Sequence, residues 1–223
     1  MELIRAGKVR LNGATPKNPE TPVRLGIDRI EVENRAIGKA ESVYLMMNKP
    51  RGVVTTADDE KGRGTVYALL PTDLQWIAPV GRLDQASEGL LLFTNDSEWN
   101  ACVTDPASHL DKTYHVQVGA IPSPSALEAL QRGVETERGE VLRCKQVRIL
   151  REGEKNAWLE ILLDEGKNRQ IRRMLDALGL EVLRLVRVAI GPLELGDLAK
   201  GAQRRLTADE VEMLNRAMKR LAR

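Results

Sequence analysis

The stretch Val80-Gly81-Arg82-Leu83-Asp84-Gln85-Ala86-Ser87-Glu88-Gly89-Leu90-Leu91-Leu92-Phe93-Thr94 carries the most information in this 223-residue chain. Residues 90–94 form an apolar run of strand length and read as a buried strand. The preceding GRLDQASEG is bounded by glycines and reads as a loop, entered from a strand end at 78–80. Asp84 therefore sits on a glycine-bounded loop at the edge of an apolar strand, a rigid support of the kind an active site needs. Pattern alone goes no further, because an Asp in such a loop more often completes a turn or caps a helix.

Outward from this stretch, strands and helices interleave. Downstream, 113–118 alternates as a strand, Ser123-Pro124 with 126–131 reads as a capped helix with proline in its first turn, and 157–163 is again a strand. A helix from about residue 168 to 178 stops at Gly179, a strand covers 182–190, and Thr207-Ala208-Asp209-Glu210 opens a last helix as a capping box. Upstream, Val43, Leu45 and Met47 alternate before Asn48-Lys49-Pro50-Arg51-Gly52 breaks the run, and 53–56 resumes it. Residues 57–64 read as a charged, mobile loop and 65–70 as a short helix. Without the regular alternation and glycine fingerprints of a doubly wound sheet, this order predicts an α+β domain on a mixed sheet over residues 40–223.

Residues 1–39 read as a small α/β unit of their own. Glu2 to Ala6 look like the end of a helix stopped by Gly7, Val9 and Leu11 run as a strand into the turn Asn12-Gly13, and the pattern continues through Val23 to the alternating Ile30 and Val32. Met1 falls where that helix is already under way, so the unit reads as cut short.

The 34 Lys and Arg against 32 Asp and Glu leave a formal charge of only +2, so clustering decides more than the sum. Arg5, Lys8 and Arg10 lie near the start, Lys167, Arg169, Arg172 and Arg173 sit together, and Arg216, Lys219, Arg220 and Arg223 close the chain, a distribution suited to a polyanion. Aromatics make up 3%, too few for a platform of stacked bases. Cys102 and Cys144, without a signal-peptide pattern, fit a reducing compartment, and no apolar run approaches the ~20 residues of a membrane-spanning helix. A cytoplasmic protein without membrane contact is expected. His109 and His115, with two distant cysteines, make no metal site.

GRLDQASEGLLLFTND resembles the signature of the pseudouridine synthases, in the branch that acts on bacterial ribosomal RNA (the small-subunit type, and types B, E and F of the large subunit). Further blocks in the family's order carry the resemblance over most of residues 43–190: Met47-Asn48-Lys49-Pro50-Arg51-Gly52, Lys112-Thr113-Tyr114, and EGKNRQIRRML at 165–175. The N-terminal unit, ELIRAGKVRLNG with a later GIDRIEV, resembles the RNA-binding module named after a ribosomal small-subunit protein, minus that module's first helix. The resemblance implies a mainly antiparallel mixed sheet flanked by helices. It also implies a monomer that needs no cofactor or metal and isomerises a uridine in structured RNA, ribosomal RNA before transfer RNA.

By the same resemblance, Asp84 is the catalytic nucleophile, Arg172 its cationic partner, and Tyr114 the tyrosine that packs against the target base. Arg82 is similar to a residue that enters the space vacated by the flipped base. Lys112, Lys167, Arg169 and Arg173, with Arg5, Lys8 and Arg10 of the N-terminal unit, are expected to contact RNA.

Pseudouridine formation breaks the bond from ribose to uracil N1 and rejoins the sugar to ring C5, with no net redox change. A carboxylate can attack the sugar or the ring, or stabilise the sugar as the base departs. It must be ionised yet shielded from water, which calls for a cation or hydrogen bonds beside it. The stacked target has to be extruded, at roughly a few kcal/mol. One rival function is a catalytically silent RNA-binding protein of ribosome assembly, which would have no reason to keep Asp84, Tyr114 and Arg172 together. Another is a glycoside or nucleoside hydrolase, which would need a second carboxylate, and Glu88 is the nearest in sequence.

Overall fold

The computed structural model describes residues 2–24, 27–37, 41–57, 59–60, 62–72, 74, 76–108 and 110–221; His109 and Arg223 of the sequence reading lie outside them. The chain divides into two compact units, Met1–Ser42 and Val43–Arg223, against an expected boundary after residue 39.

In the first unit, helix α1 (Glu2–Arg5) is followed by Gly7 at φ +67°, the left-handed stop that glycine allows. Strand β1 (Val9–Leu11) turns through Asn12 and Gly13, both at positive φ, into a Leu11–Ala14 bridge. It pairs antiparallel with β2 (Ile30–Val32), which continues through a second positive-φ turn at Glu33 and Asn34 into β3 (Arg35–Ile37). No described residue of this unit is buried, so turn geometry rather than a core defines it.

The second unit is built on one sheet. Its strands are β4 (Tyr44–Lys49), β5 (Ala78–Val80), β6 (Glu88–Thr94), β7 (Lys112–Val118), β10 (Gln146–Glu152), β11 (Ala157–Leu163), β12 (Val182–Ile190), β13 (Leu193–Glu194) and β14 (Gln203–Arg205); β8 (Val134–Glu135) and β9 (Val141–Leu142) form a separate small hairpin. The sheet order is β10-β11-β7-β12-β6-β4-β14, with β13 on β12 and β5 on β6. Every pairing is antiparallel except β6 with β12. Helices α2 (Ser97–Thr104), α3 (Pro124–Arg132), α4 (Gln170–Ala177) and α5 (Ala208–Leu221) complete the unit. This is the mixed, mainly antiparallel α+β architecture expected, and among the described residues no helix is long and apolar enough to cross a membrane.

The parallel β6–β12 joint divides the sheet into two antiparallel halves with separate cores. One core packs β7, β10, β11 and β12 against α3 and α4. The other half is covered on both faces: Leu90 and Leu92 of β6 enter a cluster with Trp99 and Leu214, whereas Leu91 and Phe93 enter one with Val66 and Leu83. Double coverage explains why 90–93 is continuously apolar, and why β4 also buries Met46: Val43, Leu45 and Met47 alternate onto one face as expected, and Met46 enters the core on the other. At the joint, Gly89 has φ +102°, and a Cβ there would lie 2.2 Å from the Arg187 carbonyl oxygen. Only glycine lets the two backbones approach this closely.

Several sequence expectations change. Residues 53–56 make only an isolated Val54–Thr65 bridge, because their hydrogen bonds tie loops instead of extending the sheet. Glu88 and Gly89 belong to β6 and not to the loop. The helix at 65–70 is a 3-10 turn, Val66–Leu69. Helix α4 starts at Gln170 and not near 168, since Arg169 takes up a left-handed conformation at φ +49°. The capping box at Thr207 and Glu210 forms reciprocally, each backbone N–H donating to the other's side chain.

Candidate active site

The loop that carries Asp84 is held almost atom by atom. Leu83 is buried in the β4–β6 core and anchors its start. From there five successive carbonyls are bonded. Leu83 O accepts from Thr55 Oγ1 (2.8 Å), Asp84 O from the Ser87 N–H (3.0 Å) and Lys49 Nζ (3.1 Å), and Gln85 O from the Gly52 N–H (2.8 Å). Ala86 O accepts from Arg172 Nη2 (3.0 Å), and Ser87 O from Lys49 Nζ (2.8 Å). The Asn48–Gly52 segment thus acts as a clamp, reinforced where Gln85 Nε2 donates to Gly52 O. Fixing the backbone leaves the Asp84 side chain little freedom beyond its own rotamers, the preorganisation that a nucleophile or general base requires.

The Asp84 carboxylate itself has no hydrogen bond among the described residues. It opens on a cavity of about 1000 Å³. Arg82, Lys112, Tyr114, Lys167, Arg169 and Arg172 line the same cavity, so seven of the eight residues expected in the catalytic unit's site, counting Asp84, converge there. The ion pair to Asp84 is made by Arg169, whose Nη1 is 3.6 Å from Oδ2, and not by Arg172 as expected. Arg172 instead tethers the loop through Ala86 O, and its Nε is buried without a partner among the described residues. Burial first, then the charges of Arg169 and Arg51, lower its pKa from the ordinary arginine value, while the charge of Asp84 opposes them. It senses the carboxylate without bonding to it. Contrary to the expected shielding, the Asp84 side chain keeps 36% exposure, so exclusion of water has to come from whatever fills the cavity.

Tyr114 bridges two cores from the middle of β7. Its cross-strand neighbours are Ile161 on β11 and Arg187 on β12. Arg173 points elsewhere: one position along α4 from the cavity-lining Arg172, it pairs with Glu140 and donates to Thr136 Oγ1. Arg5, Lys8 and Arg10 lie exposed in the first unit, with Lys8 paired to Glu33 at 2.7 Å. Glu88 is engaged by Arg184 and Lys200 and does not line the cavity, so it offers no second carboxylate beside Asp84. Among the described residues no cluster of three or more potential metal ligands exists, and His115 is 3.4 Å from Glu160.

Sequence and overall fold both match known proteins. The sequence profile of the family described as RNA pseudouridylate synthase matches residues 43–177, beginning where the second unit begins. The chain belongs to the RNA pseudouridylate synthase family. It is an RNA pseudouridine synthase, an isomerase. It is 39% identical over 214 residues to the ribosomal large subunit pseudouridine synthase B of Bacillus subtilis (strain 168), a match covering 96% of this chain and 87% of that protein. With the ribosomal large subunit pseudouridine synthase E of Vibrio vulnificus (strain CMCP6) it shares 38% identity over 185 residues, covering 77% and 78% of the two chains. A crystal structure of a pseudouridylate synthase superposes with a TM-score of 0.69 at 31% identity, covering 96% of this chain and 91% of the other.

Within this pseudouridine synthase fold, the geometry adds residues that the sequence reading left without a role. Lys49 is fully buried and donates to three carbonyls, those of Pro50, Asp84 and Ser87. Burial lowers its pKa to about 8, against the opposing pull of Asp84 and Glu88. A lysine inside the apolar strand YLMMNK was the signal available. Gln170, also buried, accepts from the Lys167 N–H and donates to Arg143 O and Glu165 Oε1, shaping the loop before α4. Asn95 and Asp96, the end of the signature, are architectural: Asn95 Oδ1 accepts from the Val43 N–H, and Asp96 caps α2 through the Trp99 N–H.

Proposed function

We infer that this chain converts a uridine of ribosomal RNA into pseudouridine, with Asp84 as the nucleophile. One observation carries the reading: the backbone of residues 83–87 is pinned at every carbonyl, while the carboxylate it presents is free of hydrogen bonds among the described residues, at a cavity rich in cations. A structural aspartate would be expected to spend its oxygens on turns or caps, as Asp96 does. The names of the relatives from Bacillus subtilis and Vibrio vulnificus favour large-subunit RNA as the source of the uridine.

In this mechanism the target nucleotide leaves its stack and enters the cavity, displacing water from Asp84. Its ring packs on Tyr114, and the exposed cations Arg82, Lys167 and Arg169 take the flanking phosphates. Asp84 supplies the electron pair that supports cleavage of the C1′–N1 bond. The base turns, C5 bonds to C1′, C5 loses its proton and N1 gains one, so atoms and charge balance without a cofactor. Arg172 keeps the loop in place and offsets the carboxylate charge. Lys112 lies on the cavity wall at the start of the Tyr114 strand, and Arg5, Lys8 and Arg10 of the first unit add RNA contacts of their own.

The test is carbodiimide primer-extension mapping of pseudouridine on total RNA from cells lacking this protein, complemented with wild type or with Asp84→Asn. One site in large-subunit RNA should vanish in the deletion and return with wild type only. An unchanged map would refute the proposal.

A further inference from the structure

We propose that Arg187 contacts the base of the extruded uridine, donating from its free edge to a uracil carbonyl oxygen and stabilising negative charge there as the C1′–N1 bond breaks. This rests on the activity proposed above and adds a residue to it.

Two cations are buried among the described residues, Lys49 and Arg187. Lys49 has three carbonyl partners. Arg187, only 6% exposed, donates from Nε to Leu90 O at 2.8 Å, but its Nη2 is buried with no hydrogen-bond partner, and it has no carboxylate within ion-pair distance among the described residues. A buried guanidinium left in that state is unfavourable, and folds rarely keep one unless a ligand completes it. Arg187 lines the same cavity as Asp84. It sits on β12 directly opposite Tyr114, and cross-strand partners project from the same face of a sheet. Tyr114 is the proposed platform for the ring, so Arg187 is placed at the ring's edge.

The nearby carboxylates Asp111 and Asp164 bear on the neighbouring Lys112, and no described carboxylate is within ion-pair distance of Arg187. Lys112, on the same face of β7, is itself pushed below the usual lysine range by burial and then by the Arg187 charge. Two cations therefore share one wall; Asp111 and Asp164 partly balance Lys112, while the Arg187 Nη2 is left without a hydrogen-bond partner among the described residues. A phosphate could supply one, but phosphates stay at the mouth, where Arg82, Lys167 and Arg169 are exposed. The base is the deepest part of an extruded nucleotide and the part that reaches a residue 6% exposed. Charge builds on its carbonyl oxygens when the glycosidic electron pair moves onto the ring. A fixed, dry donor aimed at developing charge is the arrangement that lowers a barrier most. Gly89 contributes by letting β6 press against the Arg187 backbone, so the side chain starts from an immobile point.

The experiment uses the full chain and a large-subunit ribosomal RNA transcript carrying tritium at C5 of uridine. Single-turnover tritium release at saturating RNA is compared with RNA affinity for wild type, Arg187→Gln and Arg187→Lys. Both variants keep a donor for Leu90 O, and Gln removes the charge. Arg187→Gln should slow release by about 100-fold, as loss of one oxyanion donor does, with affinity within about threefold, and Lys should restore part of the rate. A normal rate in Arg187→Gln, or Gln at least as active as Lys, would make the residue structural and overturn the proposal. A weaker affinity with a normal rate and a shallower salt dependence would make it a phosphate contact, which also overturns it. Should Arg187→Gln not fold, Arg187→Lys decides alone, a slower rate at unchanged affinity supporting the proposal and a normal rate refuting it. If wild type releases no tritium from this RNA, the substrate reading fails instead.

Discussion

The contribution of Lys49 to the stability of the catalytic unit should grow as pH rises above 8. Its ammonium is fully buried, and burial lowers its pKa from 10.5 to about 8. The direction follows from linkage. Below pH 8 both folded and unfolded chains carry the charge, and the folded state bears the cost of burying it. Between about 8 and 10.5 the folded protein releases a proton that the unfolded chain keeps, so stability rises with pH. Above 10.5 both are neutral and the gain is complete. At about 1.4 kcal/mol per pKa unit, the drop from 10.5 to about 8 amounts to about 3 kcal/mol across the window. Urea unfolding followed by tryptophan fluorescence isolates the effect, because Trp76, Trp99 and Trp158 all lie in the second unit. Wild type is compared with Lys49→Met, in which every other titrating group is unchanged. The stability difference should move by about 3 kcal/mol in favour of wild type between pH 7 and 10.5. Parallel curves would mean that the three carbonyl acceptors offset the burial of the ammonium, and the lowered pKa of Lys49 would be refuted.

Three further substitutions separate architecture from chemistry. Gly89→Ala places a Cβ 2.2 Å from the Arg187 carbonyl at φ +102° and should cost at least about 3 kcal/mol, read as a fall in thermal midpoint; a shift within error would contradict the close β6–β12 approach. Arg173→Ala removes the contacts to Glu140 and Thr136 and should lower stability by about 1 kcal/mol while pseudouridine formation stays within threefold; a selective loss of activity would put Arg173 on the RNA. Glu88→Gln breaks the pairs with Arg184 and Lys200 and should weaken the fold by about 1–3 kcal/mol with the reaction intact; abolished turnover in a folded variant would make Glu88 the second carboxylate that the geometry denies.

What could be read in the sequence follows from which interactions are local. The β6 run, the Ser123 cap, the capping box at Thr207 and the strands at 157–163 and 182–190 are set by neighbours a few residues away, and they appear where the local pattern put them. Helix α2 escaped because its cap, Asp96, sits inside the signature and was read as part of it. The start of α4 moved because a non-glycine residue, Arg169, takes a left-handed conformation that propensity does not anticipate. Arg187 shares the two-residue period of buried Leu185, so its inward direction was legible, but the missing counter-charge is a property of three strands at once. The same division runs through the family signature. Gly89, Asn95 and Asp96 are needed by the joint, by β4 and by α2, and would be needed whatever the site did. Asp84 is the exception: the clamp of Lys49, Gly52, Thr55 and Arg172 holds only its backbone, so its carboxylate faces the cavity with Arg169 as its ion-pair partner.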